Sequence, residues 1–259
     1  MSDYKNYFID LDGTIYQGKI KYPSGKRFID RLRAKDIPYL FVTNNSTKSP
    51  LAVAKNLTEN HNIPTTPSQI YTSAMATADY LKNVLPKQAK LYIIGELGLI
   101  EALSAANFDI VDSASASADA VIVGLDRQIT YDKMAKATIA IRNGAKFIAT
   151  NTDTNLPTEN GMMPGAGALV AAIQTATNVA PTIIAKPASP IMLGALNYMK
   201  ATKDETIMVG DNYHTDILAG INNGIDTLLV YSGVSTKDQI AKLAKKPTYE
   251  VDSLDDWSI

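Results

Sequence analysis

The stretch Tyr7-Phe8-Ile9-Asp10-Leu11-Asp12-Gly13-Thr14 decides how the rest of the chain is read. Three apolar residues run into an acidic, turn-forming segment, the pattern of a buried strand that ends in a polar loop. Side chains two apart on extended backbone share a face, so Asp10 and Asp12 can converge while Leu11 points into the core. Two close carboxylates repel, and a hard divalent cation held by oxygen ligands is the usual relief. Gly13 has no side chain, so backbone N–H groups can approach a phosphate oxygen closely. The same letters also fit a strand ending in an Asx turn, for which Asp-Gly is ordinary. Partners elsewhere in the chain have to decide between the two.

Outward from this stretch, short apolar runs ending in Gly, Asp, Thr or Asn alternate with helical segments, as in a parallel sheet with crossover helices. A helix carrying Phe28, Ile29 and Leu32 on one face follows the first strand, and Pro38 introduces a second strand, Tyr39-Leu40-Phe41-Val42. Ser49-Pro50, a serine N-cap before proline at the first helical position, opens a helix with Leu51, Ala54 and Leu57 on its buried stripe, closed by Asn62 and Pro64. The same start recurs at Ser189-Pro190, before a helix with Ile191, Ala195, Leu196 and Met199 and a strand at Ile207-Met208-Val209. Between these stretches lie strand candidates Leu91-Tyr92-Ile93-Ile94, Ala120-Val121-Ile122-Val123 and Lys146-Phe147-Ile148-Ala149, enough for a second α/β layer. The expectation is an α/β protein: a Rossmann-like doubly wound parallel sheet formed by 1–74 and 181–259, with an inserted α/β domain at 75–180. The Ala/Ser run Ser113–Ala118 reads as a surface loop.

With 259 residues, 46% hydrophobic and 20% charged, the chain has material for two unequal globular domains. A net charge of -1 from 25 basic and 26 acidic residues offers no field to gather nucleic acid or an anionic membrane. Any phosphate recognition has to be local. The absence of cysteine excludes disulfides and thiolate metal sites and fits a cytoplasmic location. The N-terminus lacks a basic region followed by an apolar stretch, so secretion is not expected. No apolar run approaches the roughly 20 residues needed to span a bilayer.

Three further constellations stand at strand ends, where open α/β sheets place their ligands. Val42-Thr43-Asn44-Asn45-Ser46 offers a hydroxyl and an amide as donors to a phosphoryl oxygen. Lys186-Pro187 offers an ammonium as a point charge. Val209-Gly210-Asp211-Asn212-Tyr213-His214-Thr215-Asp216 places Asp211 where it could complete a cation's ligand set with Asp10. Asp216, in the first turn of the following helix, fits either a capping role or an outer role behind the ligands.

Together, Asp10-Leu-Asp12-Gly-Thr, Thr43-Asn-Asn, Lys186-Pro and Gly210-Asp211-x-x-x-Thr-Asp216 resemble, in order and spacing, the four motifs of the haloacid dehalogenase superfamily of phosphatases. The position of the insert and the segment Pro164-Gly165-Ala166-Gly167-Ala168 resemble the NagD-like subfamily with its large α/β cap of type C2. The resemblance implies a Mg²⁺-dependent phosphomonoesterase working through a phospho-aspartate. Asp10 would be the nucleophile and Asp12 the general acid and then base. Mg²⁺ would be held by Asp10, the Asp12 backbone carbonyl and Asp211, and Gly13, Thr43, Asn44 and Lys186 would bind the phosphoryl oxygens. Dehalogenases of this fold usually lack the second aspartate, so Asp12 counts against that chemistry. The large cap makes phosphomutases and ATPases less attractive readings.

The loop Thr150-Asn151-Thr152-Asp153 nominates Asn151 and Asp153 for contact with the leaving group, although an Asx-turn role serves them as well. Related pyridoxal phosphatases carry a histidine where Leu156 stands, which makes that substrate less attractive. Small phosphorylated metabolites are expected, sugar phosphates first, then nucleoside monophosphates and p-nitrophenyl phosphate. No nucleic acid or membrane partner is expected, and the oligomeric state stays open, a homodimer included. His61 reads as a dipole partner at a helix C-terminus, and His214 as exposed. A protein that keeps the fold only to sense a phosphorylated ligand is the rival reading, but such a protein would be free to lose Asp10, Asp12, Lys186 or Asp211, and all four are present.

Overall fold

The computed structural model describes residues 4–112, 118–158 and 161–259, so residues 113–117 of the Ala/Ser run lie outside it. Two compact units emerge from the packing. The first comprises the chain up to Thr43 with Pro50–Tyr71 and Lys186–Ile259, and the second comprises Asn44–Ser49 with Thr72–Ala185.

The first unit is built on a six-stranded sheet in the order Tyr249–Val251, Asp226–Val230, Thr206–Gly210, Asn6–Ile9, Tyr39–Thr43, Ile70–Thr72. Asn6–Ile9 pairs in parallel with Thr206–Gly210 on one side (Ile9 beside Val209) and with Tyr39–Thr43 on the other (Ile9 beside Phe41). The chain therefore winds outward from its first strand in both directions. The crevice at that reversal is where a doubly wound sheet opens to a ligand. The central strands are buried on both faces, which is why they read as continuous apolar runs rather than alternating ones. One face is covered by the helix Pro23–Ala34, whose Phe28, Ile29 and Leu32 are buried in a cluster with Tyr7, Ile9, Phe41, Val209 and Leu228.

The second unit has its own five-stranded parallel sheet, in the order Thr182–Ile183, Lys146–Ala149, Ala120–Val123, Lys90–Ile94, Asp109–Ile110. Helices Tyr131–Arg142 and Ala166–Thr177 contribute Ala137, Ile141, Val170 and Ile173 to the core beside its central strands. An antiparallel hairpin pairs Asn155 with Pro164 and Thr158 with Gly161. The α/β architecture with doubly wound parallel sheets is thus the one expected from the motifs. Three strands of the first sheet went unread because Ile70–Thr72 and Tyr249–Val251 are only 3 residues long and Asp226–Val230 opens on a charged residue.

Two helix expectations need correction. In the helix Pro50–His61 the buried residues are Val53, Ala54, Leu57 and His61, whereas Leu51 is 66% exposed. A stripe stepping only by threes drifts off the 100°-per-residue face, and Val53 with Leu57, four apart, holds it instead. At the later helix, Ser189 is the first helical residue and Ala188 takes the cap position, with no side-chain cap bond. Asn62 closes the earlier helix as expected, at φ 58° with the Ile63 amide donating back to the Leu57 carbonyl at 3.0 Å.

The packing sets a contrast in stability. Phe28→Ala, at a fully buried position edge-on to Tyr7 at 5.8 Å, is expected to cost about 3–5 kcal/mol. Leu51→Ala is expected to stay within about 0.5 kcal/mol of the parent. Urea unfolding of the two variants measures both.

Candidate active site

The first strand delivers Asp10 to the switch point of the sheet, and the strand beside it delivers Asp211. Side-chain oxygens of Asp10, Asp211 and Asp216 lie within 4.8 Å of one another, the one grouping among the described residues suited to a metal ion. Lys186 reaches into the group from the start of the segment Lys186–Ile259. Its ammonium lies 2.6 Å from Asp10 Oδ1 and 2.8 Å from Asp216 Oδ1, and it donates to the Val42 carbonyl at 2.7 Å. Burial alone would depress this lysine, but Asp10 and Asp216 outweigh it and raise its pKa above the ordinary value.

Three carboxylates against one ammonium leave a buried surplus of two negative charges. Burial first, then Asp216 and Asp211, push the Asp10 carboxyl well above the usual range, although Lys186 pulls the other way. Asp211 is pushed up to about 6, by burial and then Asp216, against the bonds it accepts from the Val234 amide and Thr14. Thr14 Oγ1 donates to Asp211 Oδ1 at 3.0 Å and the Val234 amide donates to Oδ2 at 2.7 Å. The donor set is all oxygen and its surplus charge matches one divalent cation, so the residues fit a hard metal ion.

Small residues make the crowding feasible. A Cβ at Gly13 would stand 2.5 Å from Asp211 Oδ2, and one at Gly233 would stand 2.0 Å from the same oxygen, so neither position admits a side chain. Gly13 also sits at φ 92°, where other residues are strained. Thr14 and the segment Ser232–Ser235 were missed as supports of Asp211. Gly233, after Tyr231-Ser232 at the end of the strand Asp226–Val230, was the available signal.

Asp216 is a member of the cluster rather than a simple helix cap. It lies in the five-residue π-type turn Tyr213–Ile217, where the widened winding carries the side chain inward, 1% exposed, to Lys186 while Oδ2 accepts from the Asn212 amide at 3.2 Å. Asp12, in contrast, is exposed and outside the cluster, its Oδ1 accepting from the Gly18 amide at 3.3 Å. Thr43 ends its strand nearly buried. Asn44, Asn151 and Asp153 belong to the second unit, where Asn44 Nδ2 approaches both Asp153 oxygens at 3.3 and 3.4 Å and Asn151 Nδ2 donates to the Asn44 carbonyl at 3.0 Å. Asn151 Oδ1 also accepts from the Asp153 amide at 3.1 Å, as in an Asx turn.

His214 is exposed, as expected. His61 is not the cationic dipole partner anticipated. It is buried and stacks on Tyr16 at 4.2 Å, and burial, followed by Lys21, holds its pKa below the ordinary value against the pull of Asp12. A neutral imidazole results at pH 7.

Among known proteins, the haloacid dehalogenase-like hydrolase family model matches residues 7–109, and a HAD-hydrolase-like model matches 183–257. The 5'-nucleotidase YutF of Bacillus subtilis is 45% identical over 257 residues, covering 99% of this chain and 98% of that protein. The acid sugar phosphatase of Staphylococcus aureus is 45% identical over 256 residues, covering 99% and 97%. The crystal structure of a double mutant of thermostable NPPase from Geobacillus stearothermophilus superposes with a TM-score of 0.92 at 51% identity, covering 100% of this chain and 99% of that one. With the carboxylate cluster at the switch point and relatives of this identity along its whole length, the chain belongs to the haloacid dehalogenase-like hydrolases.

Proposed function

We propose that this protein is a Mg²⁺-dependent phosphomonoesterase that hydrolyses small phosphorylated metabolites through a phosphorylated Asp10. One observation carries the assignment of the nucleophile. Asp10 keeps 14% of its side-chain surface exposed, whereas Asp216 keeps 2% and Lys186 1%. Asp211 is buried behind Thr14 and Val234. Within the cluster, Asp10 is the carboxylate a substrate can reach.

An Asp10 oxygen attacks phosphorus, the bond to the leaving oxygen breaks, and Asp12 gives its proton to the departing alkoxide. Asp12 then takes a proton from water, which attacks the same phosphorus. The Asp10–phosphorus bond breaks and inorganic phosphate leaves. Lys186 places fixed positive charge beside the attacking carboxylate, and the Thr43 hydroxyl is assigned to the transferring oxygens, whereas the Gly13 amide already donates to the Tyr16 carbonyl at 2.7 Å. Asp10 and Asp211, with the Asp12 carbonyl, would hold Mg²⁺, and Asp216 would stand behind them bound to Lys186. The ion, when bound, neutralises charge on the phosphoryl group and lets an anionic substrate approach anionic carboxylates.

The substrate class draws on relatives named as a 5'-nucleotidase, an acid sugar phosphatase and an NPPase, so sugar phosphates, nucleoside monophosphates and p-nitrophenyl phosphate form the set to try. Residues 75–180 are proposed as the domain that selects the leaving group, with Asn151 and Asp153 as its contacts. A cytoplasmic enzyme is proposed from the lack of cysteine. Among the described residues no helix is long and apolar enough to cross a membrane.

Purified protein with Mg²⁺ is expected to release phosphate from members of that set. Asp10→Asn should abolish release, and Asp12→Ala should lower kcat by about 10²–10⁴. A broad phosphomonoester panel with no turnover by the parent protein would overturn the reading in favour of a phospholigand sensor.

The raised carboxylates add a pH dependence. Without metal, Asp211 has a folded pKa of about 6, above its unfolded value of 3.8, so its contribution to stability is present below the unfolded value and lost as pH rises through 6. A cation needs the ionised ligands and displaces their protons. In chelator, the melting temperature is therefore expected to fall across that window, less so in Asp211→Asn. The increment from saturating Mg²⁺ should be larger at about pH 7.5 than at about pH 5.5, as thermal melts on either side of that window would show.

A further inference from the structure

Asp12 is held by a very short hairpin. The chain leaves the first strand in a tight turn in which the Leu11 carbonyl accepts from the amides of Thr14, Ile15 and Tyr16 at 3.3, 2.9 and 3.3 Å, and the Gly13 amide donates to the Tyr16 carbonyl at 2.7 Å. Asp12 and Tyr16 form an isolated bridge, and a two-residue turn then pairs Tyr16 with Lys21 and Gln17 with Ile20. The turn residue Gly18 supplies the amide that binds the Asp12 carboxylate at 3.3 Å.

A hairpin of two residue pairs has no independent stability in water. Side chains packed against the rest of the unit have to anchor it. Tyr16 does so by stacking on His61, ring centroids 4.2 Å apart and planes 18° apart, at the buried end of the helix Pro50–His61. His61 Nδ1 is buried with no hydrogen-bond partner among the described residues. Hydrogen bonding at that atom therefore does not explain the residue, and the flat face against Tyr16 does. From the other side, Tyr22 Oη lies 3.1 Å from both Gln17 Oε1 and the Ser232 carbonyl.

We infer that His61 is a positioning residue: its ring clamps Tyr16, and through the hairpin it holds the Asp12 carboxylate where a leaving oxygen receives its proton. His61 itself touches no substrate. The inference rests on the phosphomonoesterase reading and assigns a function to a residue that reading leaves unused.

A loosened general acid should matter most where the leaving group needs a proton. An alkoxide leaving from a sugar phosphate does, and p-nitrophenolate, a stable anion, does far less. The test compares kcat/KM, which reports the leaving-group step, for His61→Leu and His61→Phe on p-nitrophenyl phosphate and on the sugar phosphate turned over best. Leu keeps the bulk and loses the flat face, whereas Phe keeps the face and removes the unpartnered nitrogen. His61→Leu is expected to lose about tenfold on the sugar phosphate and less than about twofold on the aryl phosphate, with Phe restoring the parent ratio. Melting temperature identifies any variant that fails to fold, and Tyr16→Leu against Tyr16→Phe then supplies the same comparison from the other ring. Equal losses on both substrates, an unchanged ratio in the Leu variants, or failure of Phe to rescue would overturn the inference while leaving the phosphatase reading intact. No turnover by the parent protein would overturn both.

Discussion

Lys186 sits almost fully buried with its ammonium against Asp10, Asp216 and the Val42 carbonyl, and removing that one charge would leave three carboxylates facing each other in a site shielded from water. An isolated buried charge is tolerated only when paired and hydrogen-bonded. Here the pairing ties together strand ends that are far apart in sequence. Asp10 follows the first strand, Val42 lies in its neighbour, and Asp216 follows the strand on the opposite side. The charge balance and the sheet order are one constraint, since the lysine finds all three partners only if the first strand lies between the other two.

The remaining surplus of negative charge explains the supports placed around it. Asp211 is gripped by Thr14 and the Val234 amide, and the Ser232 hydroxyl donates to the Gly13 carbonyl at 2.7 Å, closing the loop after Asp226–Val230 onto the loop after Asn6–Ile9. Gly13 and Gly233 leave room for the Asp211 carboxylate by having no Cβ. A site arranged this way tolerates little displacement, because each carboxylate is held by a group from a segment distant in sequence, Asp10 and Asp216 by Lys186 and Asp211 by Thr14. Pre-arranged charge of this kind is what lets a site stabilise a transferring phosphoryl group without reorganising.

The second unit repeats the same physics on a smaller scale. Its three central strands, Lys90–Ile94, Ala120–Val123 and Lys146–Ala149, are short and largely buried, and polar residues such as Glu96, Asp126 and Asn151 follow their C-terminal ends. The residues that follow the strand Tyr39–Thr43, Asn44–Ser49, pack with it rather than with the unit that precedes them. The Gly98 amide donates to the Thr47 carbonyl at 3.1 Å, and the Ser73 hydroxyl donates to the Asn44 carbonyl at 2.7 Å. A motif that is continuous in sequence, Thr43-Asn44, is therefore divided between two bodies.

The central strands were legible because a sheet buried on both faces demands unbroken apolar runs, and the charged members of the cluster stood out because each follows such a run or carries the buried ammonium. Asp10, Lys186 and Asp211 are named by their sequence context alone once all the motifs are taken together. Local pattern could not place Leu51 outside or Val53 inside, since the face of a helix is chosen by what it packs against. Nor could it decide between a capping and an outer role for Asp216, set Asp12 apart on its hairpin, or seat His61 on Tyr16. Each of those depends on a partner whose position only the folded sheet supplies. The sequence by itself determined which groups are available and which strands carry them. The tertiary structure alone decided which charges face one another, because the energy of a buried charge depends on distances that no spacing along the chain contains.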